Sequence, residues 1–299
     1  MKRRTFIGKT LAGMTLFGGT MGMSRATTAY AQSSQDDFDY RLNITDNVVI
    51  ERDTPGQPHK GKVLLHIMAH NDDHSGTGTA IKLIREGYTG YYVRFTNEDK
   101  SGPGSVGEGC VLIEEDTKNI AKAIGHKKAF DLAYRKHRSD DMLIGDLIHR
   151  LIFLYRVLQV DTIITFDPWS HYEENPDHYL LARAVEASRW YAGRIKDYPE
   201  HFKAGIKPKE PKECYYFSRG PNLSQWNFTR FNRIVDIGSV IEQKIEAQIA
   251  GRWWGGPAGM EPEDRRKRSL ARGGRSELLK RFGLKYGEFF NYRSQLGRV

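Results

Sequence analysis

The 299-residue chain is 39% hydrophobic and 28% charged, ordinary globular proportions that exclude a disordered or fibrous polypeptide and suffice for one large α/β domain. Its net charge of +9 comes from an N-terminal cluster and from arginines near the C-terminus, where Glu261, Glu263, Asp264 and Glu277 break up the run and no aromatic residues alternate with it. No nucleic-acid partner is expected of such a pattern.

At the N-terminus, Lys2-Arg3-Arg4 precedes an apolar, Gly/Thr-rich run from Thr10 to Met23, and Ala29-Tyr30-Ala31 follows. This is the pattern of a twin-arginine export signal with an A-x-A cleavage site. Residues 1–31 are therefore expected to be removed, leaving a mature periplasmic or extracellular chain of residues 32–299. The apolar run is shorter than the about 20 residues a membrane span requires, so no stable membrane insertion is expected after cleavage. Removal of Lys2, Arg3, Arg4, Lys9 and Arg25, with no acid, lowers the net charge from +9 to +4.

Residues 32–61 form a polar N-terminal extension containing the turn Asp53-Thr54-Pro55-Gly56. Lys62–Ala69 is a nearly continuous apolar run, the pattern of a strand covered on both faces of a parallel sheet. A helix over Thr79–Glu86 and a strand over Gly90–Thr96 follow. The glycine-rich stretch Ser101–Gly109 is expected as a loop leading to a helix over Glu114–Ile124, stopped at Gly125. Beyond it come a helix over Asp146–Leu158, a strand over Thr162–Phe166 and a helix over Tyr179–Arg194. Tyr198–Pro211 is expected as a surface loop. Strands over Cys214–Phe217 and Arg233–Ile237 and a helix over Val240–Ala250 complete the pattern. The alternation predicts a single-domain, Rossmann-like three-layer α/β fold with a mainly parallel sheet.

In such sheets ligands bind at the carboxyl ends of the strands. Two His/Asp-rich segments fall there: His70-Asn71-Asp72-Asp73-His74 after the first strand, and Asp167–His178 after the Thr162–Phe166 strand. Catalytic zinc usually takes three His or carboxylate ligands and leaves a position for water, whose pKa it lowers toward about 7. His70, Asp73 and His178 supply that set for Zn2+ or another divalent ion, and Asp72 is placed to act as general base. Gly76 and Gly78 lack the third glycine of a dinucleotide fingerprint, so no NAD is expected. Glu98, Tyr172 and Trp169 are candidate substrate contacts. His74 is expected as a helix-start residue, and Trp226, Trp253 and Trp254 as candidates for an aromatic rim. Cys110 and Cys214 lack C-x-x-C spacing, which argues against a structural zinc site and leaves their pairing open.

Ala69-His70-Asn71-Asp72-Asp73-His74 and Asn175-Pro176-Asp177-His178 resemble the A-H-P-D-D-E and H-x-D-H motifs of the LmbE-like, or PIG-L-type, N-acetylglucosaminyl deacetylases. The similarity extends from about Lys62 to Ala250, including Glu114-Glu115-Asp116 and Val235-Asp236-Ile237 before a helix with Lys244. It implies a zinc-dependent hydrolase removing an N-acyl group, N-acetyl foremost, from a small-molecule amino sugar or related amine, expected to act after export by virtue of the N-terminal signal. Another acylated amine or ester, or a carbohydrate-binding protein without catalysis, are the alternatives. The resemblance also implies His70, Asp73 and His178 as ligands, Asp72 as base, and Asp177 among the catalytic residues. Asn71, His74 and Asn175 stand where the family carries proline, glutamate and histidine. His171, four residues before Asn175, is expected to take over charge stabilisation in the transition state, with the Asn175 amide second and Tyr172 behind them.

Replacement of both Arg3 and Arg4 by Lys should block export, read as retention of uncleaved protein in the cytoplasm. Unchanged secretion with an N-terminus at Gln32 would dismiss the twin-arginine assignment.

Overall fold

The computed structural model describes residues 48–52, 61–102, 104–169, 173–217, 231–252, 261, 263–267, 279–280 and 282–294. The export segment, its cleavage site, Trp226, Trp253 and Trp254 lie outside the described residues. Among those described, the strands are β1 (Val49–Glu51), β2 (Val63–Met68), β3 (Thr89–Thr96), β4 (Lys128–Tyr134), β5 (Thr162–Phe166), β6 (Glu213–Phe217), β7 (Arg233–Asp236) and β8 (Gly287–Ser294). They form one sheet in the order β1-β7-β8-β6-β5-β2-β3-β4. Every pairing is parallel except those of β8, which runs antiparallel between β6 and β7. The helices are α1 (Thr77–Arg85), α2 (Val106–Ile124), α3 (Ile144–Leu158), α4 (Pro176–Ala192), α5 (Pro199–Lys203) and α6 (Ile241–Ala250).

From β2 the chain moves outward through β3 to β4, then returns to place β5 on the other side of β2 and continues to β6. Because such crossovers are right-handed, the reversal puts α1 and α2 on one face of the sheet and α3 and α4 on the other. α3 packs on α4, and α2 on α6. The central strands have no face left for water: Leu64, Leu65, Ile67, Met68, Ile163 and Ile164 are fully buried. Their largely apolar composition, interrupted only by the buried His66, Thr162 and Thr165, is the consequence.

The expected three-layer α/β fold is present, with local differences. The N-terminal extension contributes β1, an edge strand paired with β7. β4, an edge strand with mixed exposure, and β8 carry no continuous apolar run and were not expected. α2 starts at Val106, well before Glu114, because Ser105 and Glu108 form a reciprocal capping box that absorbs Gly107 and Gly109 into the helix. The Tyr198–Pro211 segment holds the short helix α5. Both cysteines are free, Cys110 partly exposed on α2 and Cys214 buried in β6, so they form no disulfide.

The turn from β2 into α1 passes close to β5. Gly76 has φ +81°, and a Cβ there would meet Ile164 Cγ2 at 2.6 Å, so only glycine fits. It provides no side chain to cap α1. Glu288 on β8 does so instead: Oε1 accepts from Gly78 N at 2.9 Å, and Oε2 from Thr79 N at 2.8 Å and Thr79 Oγ1 at 2.7 Å. Lys244 Nζ donates to Oε1 at 2.7 Å. Glu288 and Lys244 are both buried, so the C-terminal strand fastens α1 and α6 through one ion pair.

Replacement of Glu288 by Ala leaves a buried ammonium and two buried N–H groups without their acceptor, and should destabilise the fold by about 3–5 kcal/mol. The check is the urea midpoint, expected to fall at constant m-value; a midpoint within experimental error of the parent would show that the pair contributes nothing.

Candidate active site

β2 and β5 are hydrogen-bonded neighbours, with Leu64 opposite Thr162 and His66 opposite Ile164. The segments that leave them go to opposite faces of the sheet, so a crevice opens beyond their carboxyl ends. The β2 loop delivers His70, Asn71, Asp72 and Asp73 to one wall. The β5 loop delivers Glu173 and Asn175, and the first turn of α4 delivers Asp177 and His178, to the other.

His70 and His178 are buried, and Asp73 nearly so. His70 Nδ1 lies 3.3 Å from Asp73 Oδ2 and 3.2 Å from His178 Nε2, while Asp73 Oδ1 lies 3.4 Å from His178 Nε2. Two imidazole nitrogens and a carboxylate thus converge on one point. The far nitrogen of each ring faces a carboxylate: His70 Nε2 lies 2.8 Å from Asp177 Oδ2, and His178 Nδ1 3.2 Å from Glu173 Oε2. Those carboxylates hold a proton on each far nitrogen, so that the near nitrogens are the ones left to bind a metal, His70 Nδ1 once its own proton is displaced, the arrangement by which proteins orient metal-binding histidines. The donor set and its tautomers fit zinc or a similar divalent ion.

Electrostatics point the same way. Burial opposes charge at His70, but hydrogen bonds to Asp177 and Asp73 outweigh it and push its pKa up to about 10. Burial likewise opposes charge on Asp73, yet His178 and His70 hold its carboxyl down to about 2. The cluster is a strongly negative environment that retains a proton on His70, and a cation entering it displaces that proton.

Two other groups of metal-capable side chains occur among the described residues: His70 with His137 and Asp177, and His149 with Glu200 and His201. The first shares His70 Nε2, whose proton is engaged by Asp177. In the second, Arg156 Nη1 donates to His201 Nδ1 at 3.0 Å. That forces the His201 proton onto Nε2, which then donates to His149 Nε2 at 3.1 Å. With no lone pair at His201 Nε2, this pair is a hydrogen bond and not a cation site.

Asp72 is exposed to solvent next to Asp73. Asn175 is the N-cap of α4. Its Oδ1 accepts from Asp177 N at 3.0 Å, which turns Nδ2 toward His178 Nε2, 3.3 Å away. The cap therefore fixes the amide with its donor facing the convergence point. Asp177 is fully buried on the far side of His70, where Oδ2 also accepts from His137 N at 2.9 Å and Oδ1 from Ser139 Oγ at 2.7 Å. It orients His70 from behind.

Glu98, expected as a turn carboxylate within reach of substrate, is 3% exposed. Its Oε2 accepts from Asn71 N at 3.0 Å and its Oε1 from Lys136 Nζ at 3.4 Å, so it braces the β2 loop. Trp169 is half exposed; Arg293 stacks on it at 3.9 Å and the Tyr216 ring lies edge-on at 5.7 Å. His74 is buried before α1, and burial together with the Lys244 charge lowers its pKa to about 3. His171 and Tyr172 lie outside the described residues. Glu173 and His137 were not anticipated. Glu173 is one acid among several in its segment, and His137 follows β4, a strand without a clear sequence signal.

Residues 65–188 match the PIG-L family, described as GlcNAc-PI de-N-acetylase. No curated protein sequence matches the chain. Among solved structures, N,N'-diacetylchitobiose deacetylase from Pyrococcus horikoshii is similar with a TM-score of 0.63 and 21% identity, covering 94% of this chain and 96% of that one. GalB, the 4-carboxy-2-hydroxymuconate hydratase from Pseudomonas putida, has a TM-score of 0.60 and 20% identity, covering 80% and 98%. A conserved protein from Thermus thermophilus has a TM-score of 0.57 and 18% identity, covering 79% and 96%. At these identities the likeness is one of fold, and a fold shared by a deacetylase and a hydratase does not choose the reaction.

Zinc titration of the metal-free protein at neutral pH should give about one ion per chain with proton release, since the ion displaces the proton held at His70. Calorimetry in buffers of different ionisation enthalpy measures both quantities. His178→Ala should abolish tight binding; full zinc occupancy in that variant would remove His178 from the ligand set.

Proposed function

The chain is of the PIG-L type, its match to that family running over residues 65–188 on the fold of the LmbE-like deacetylases, and on that premise we propose that it is a divalent-metal-dependent deacetylase of an N-acylated amino sugar. The observation that carries this reading is the convergence of His70 Nδ1, Asp73 and His178 Nε2, with the exposed Asp72 preceding Asp73 on the same loop. The P. horikoshii protein, named for action on N,N'-diacetylchitobiose, supports an N-acetylated sugar as substrate. Zinc is the favoured ion from the donor set, and the twin-arginine pattern favours action outside the cytoplasm.

His70, Asp73 and His178 would hold the ion, which when bound supplies Lewis-acid activation of water and of the substrate's acyl oxygen. Asp72 takes a proton from the attacking water. As the C–N bond breaks, Asp72 returns that proton to the leaving nitrogen, so that one water and one amide become a carboxylic acid and an amine, and the acid's own proton then passes to the amine to leave a carboxylate and an ammonium. The Asn175 Nδ2 group, held toward the site by the N-cap bond, donates to the oxygen on which negative charge grows. Asp177 and Glu173 keep the two imidazoles in the tautomers the ion requires.

The likeness to GalB makes water addition to a carbon–carbon double bond the competing chemistry. Acetate release from N-acetylglucosamine derivatives by the zinc-loaded protein is the deciding assay. Asp72→Asn should keep its zinc and lose turnover by about 10²–10⁴-fold, the range for a positioned proton-transfer group. A wild-type protein that binds zinc and releases no acid from a broad panel of amides and esters would rule the hydrolase out.

A further inference from the structure

Asp73 N donates to His70 O at 3.3 Å, closing a turn in which Asn71 stands second and Asp72 third. None of its four residues has a positive φ, as in type I turns, whose second position suits proline because the ring pre-sets φ. The resembled motif has proline at that position. This chain has Asn71, which carries no such restraint and adds a buried N–H that must find an acceptor.

Glu98 Oε2 is that acceptor, at 3.0 Å. Its backbone is strained: Glu98 is buried with φ +52°, in the left-handed region that glycine enters freely and other residues do not. Its charge is answered by two cations, with Lys136 Nζ 3.4 Å from Oε1 and Arg94 Nη1 3.8 Å from Oε2. Glycine at position 98 would relieve the backbone and leave the Asn71 N–H unpaired inside the protein. Such strain persists where the surroundings impose it, and it clusters at functional sites. The peptide that carries this N–H joins His70 to Asn71, and Asp72 follows directly. Fixing that peptide plane sets the direction in which the chain enters the turn, the task a proline ring performs by covalent restraint.

We propose that Glu98 is a positioning residue for Asp72: its hydrogen bond to Asn71 N takes the place of a proline ring at position 71 and holds the turn in the geometry that proton transfer requires. This rests on the deacetylase reading and gives a part in turnover to a buried residue that lies in neither motif.

The experiment compares the full-length wild type with Glu98→Gly, Glu98→Gln, Asn71→Pro and the double variant Asn71→Pro/Glu98→Gly. Zinc content, and kcat and KM for N-acetylglucosamine derivatives, are read on the zinc-loaded proteins, and hydrogen exchange over residues 69–74 on the metal-free ones. For Glu98→Gly, zinc content and KM should hold while kcat falls about 10- to 10²-fold, as for a reacting group displaced by on the order of an ångström. Exchange over residues 69–74 should quicken about tenfold. Glu98→Gln keeps an acceptor for Asn71 N and should stay within about threefold of wild type in both readouts. In the Asn71→Pro background the same Glu98→Gly change should lower kcat less than about twofold, because no N–H is left to pair and the ring sets φ.

Wild-type kcat and exchange in Glu98→Gly would overturn the proposal, as would equal losses in the two backgrounds. So would a Glu98→Gln variant as impaired as Glu98→Gly, which would make charge and not the hydrogen bond the cause, and so would loss of zinc in step with kcat. The Gly and Gln variants decide the point if Asn71→Pro does not fold. If the wild type hydrolyses no amide and the exchange pattern holds, the deacetylase reading fails while the replacement of the ring by Glu98 stands.

Discussion

The hydrogen bond between the His70 imidazole and the Asp177 carboxylate, 2.8 Å long and buried, holds the site together. Asp177 has no access to water, so its charge must be answered inside the protein. It is answered by the His70 ring from the β2 loop, the His137 N–H and the Ser139 hydroxyl from the β4 loop, and the His70 charge itself. Burial works against ionisation of Asp177, yet these hydrogen bonds bring its pKa below the usual carboxylate value. One carboxylate on the first turn of α4 thereby fixes the relative position of three chain segments. Displacing any of them leaves a buried ionised group short of partners.

That arrangement depends in turn on the reversal of strand order at β2 and β5. Had β5 been added beyond β4, His70 and His178 would stand on distant strands. Because β5 pairs directly with β2, the two loops face each other across one interstrand gap. Asn71 adds a second anchor: its Nδ2 donates to Ile113 O at 3.0 Å and its Oδ1 accepts from Thr117 Oγ1 at 3.0 Å. A buried amide needs such partners, and here they tie the β2 loop to α2. Proline at this position could make neither bond.

Buried charge is handled elsewhere by the same rule with different partners. Arg156 is 1% exposed and its guanidinium is held by main-chain carbonyls, with the Asp197 and Glu200 charges adding attraction; Nε donates to Ala192 O at 2.9 Å and Nη2 to Arg194 O at 2.9 Å. These carbonyls lie at the C-terminus of α4, where the helix dipole is negative and main-chain acceptors are left over. The cation thus closes the far end of the helix whose first turn carries Asp177 and His178. Both ends of α4 are held, which keeps its N-terminal residues in register with the β2 loop.

The sequence by itself determined the central strands, because burial on both faces demands the mostly apolar, β-branched-rich runs seen at 63–68 and 162–166. It also determined the two His/Asp segments, since metal-capable residues at strand ends stand out against apolar strands, and with them the α/β class. Strands β1, β4 and β8 were not legible, for edge or antiparallel strands of mixed exposure lack a strong periodic signal. The α2 start was written in Ser105 and Glu108 but obscured by the glycines around them. Tertiary structure alone decided which carboxylate serves which imidazole. Asp177, Glu173 and Glu98 are equally acidic in the sequence, and only burial and the direction of each side chain make the first two orient histidines and the third brace a loop. It alone set the face of the Asn175 amide, through the N-cap bond, and brought His137 beside His70 from a segment 67 residues away in sequence, because proximity across a sheet is set by strand order and leaves no trace in local composition.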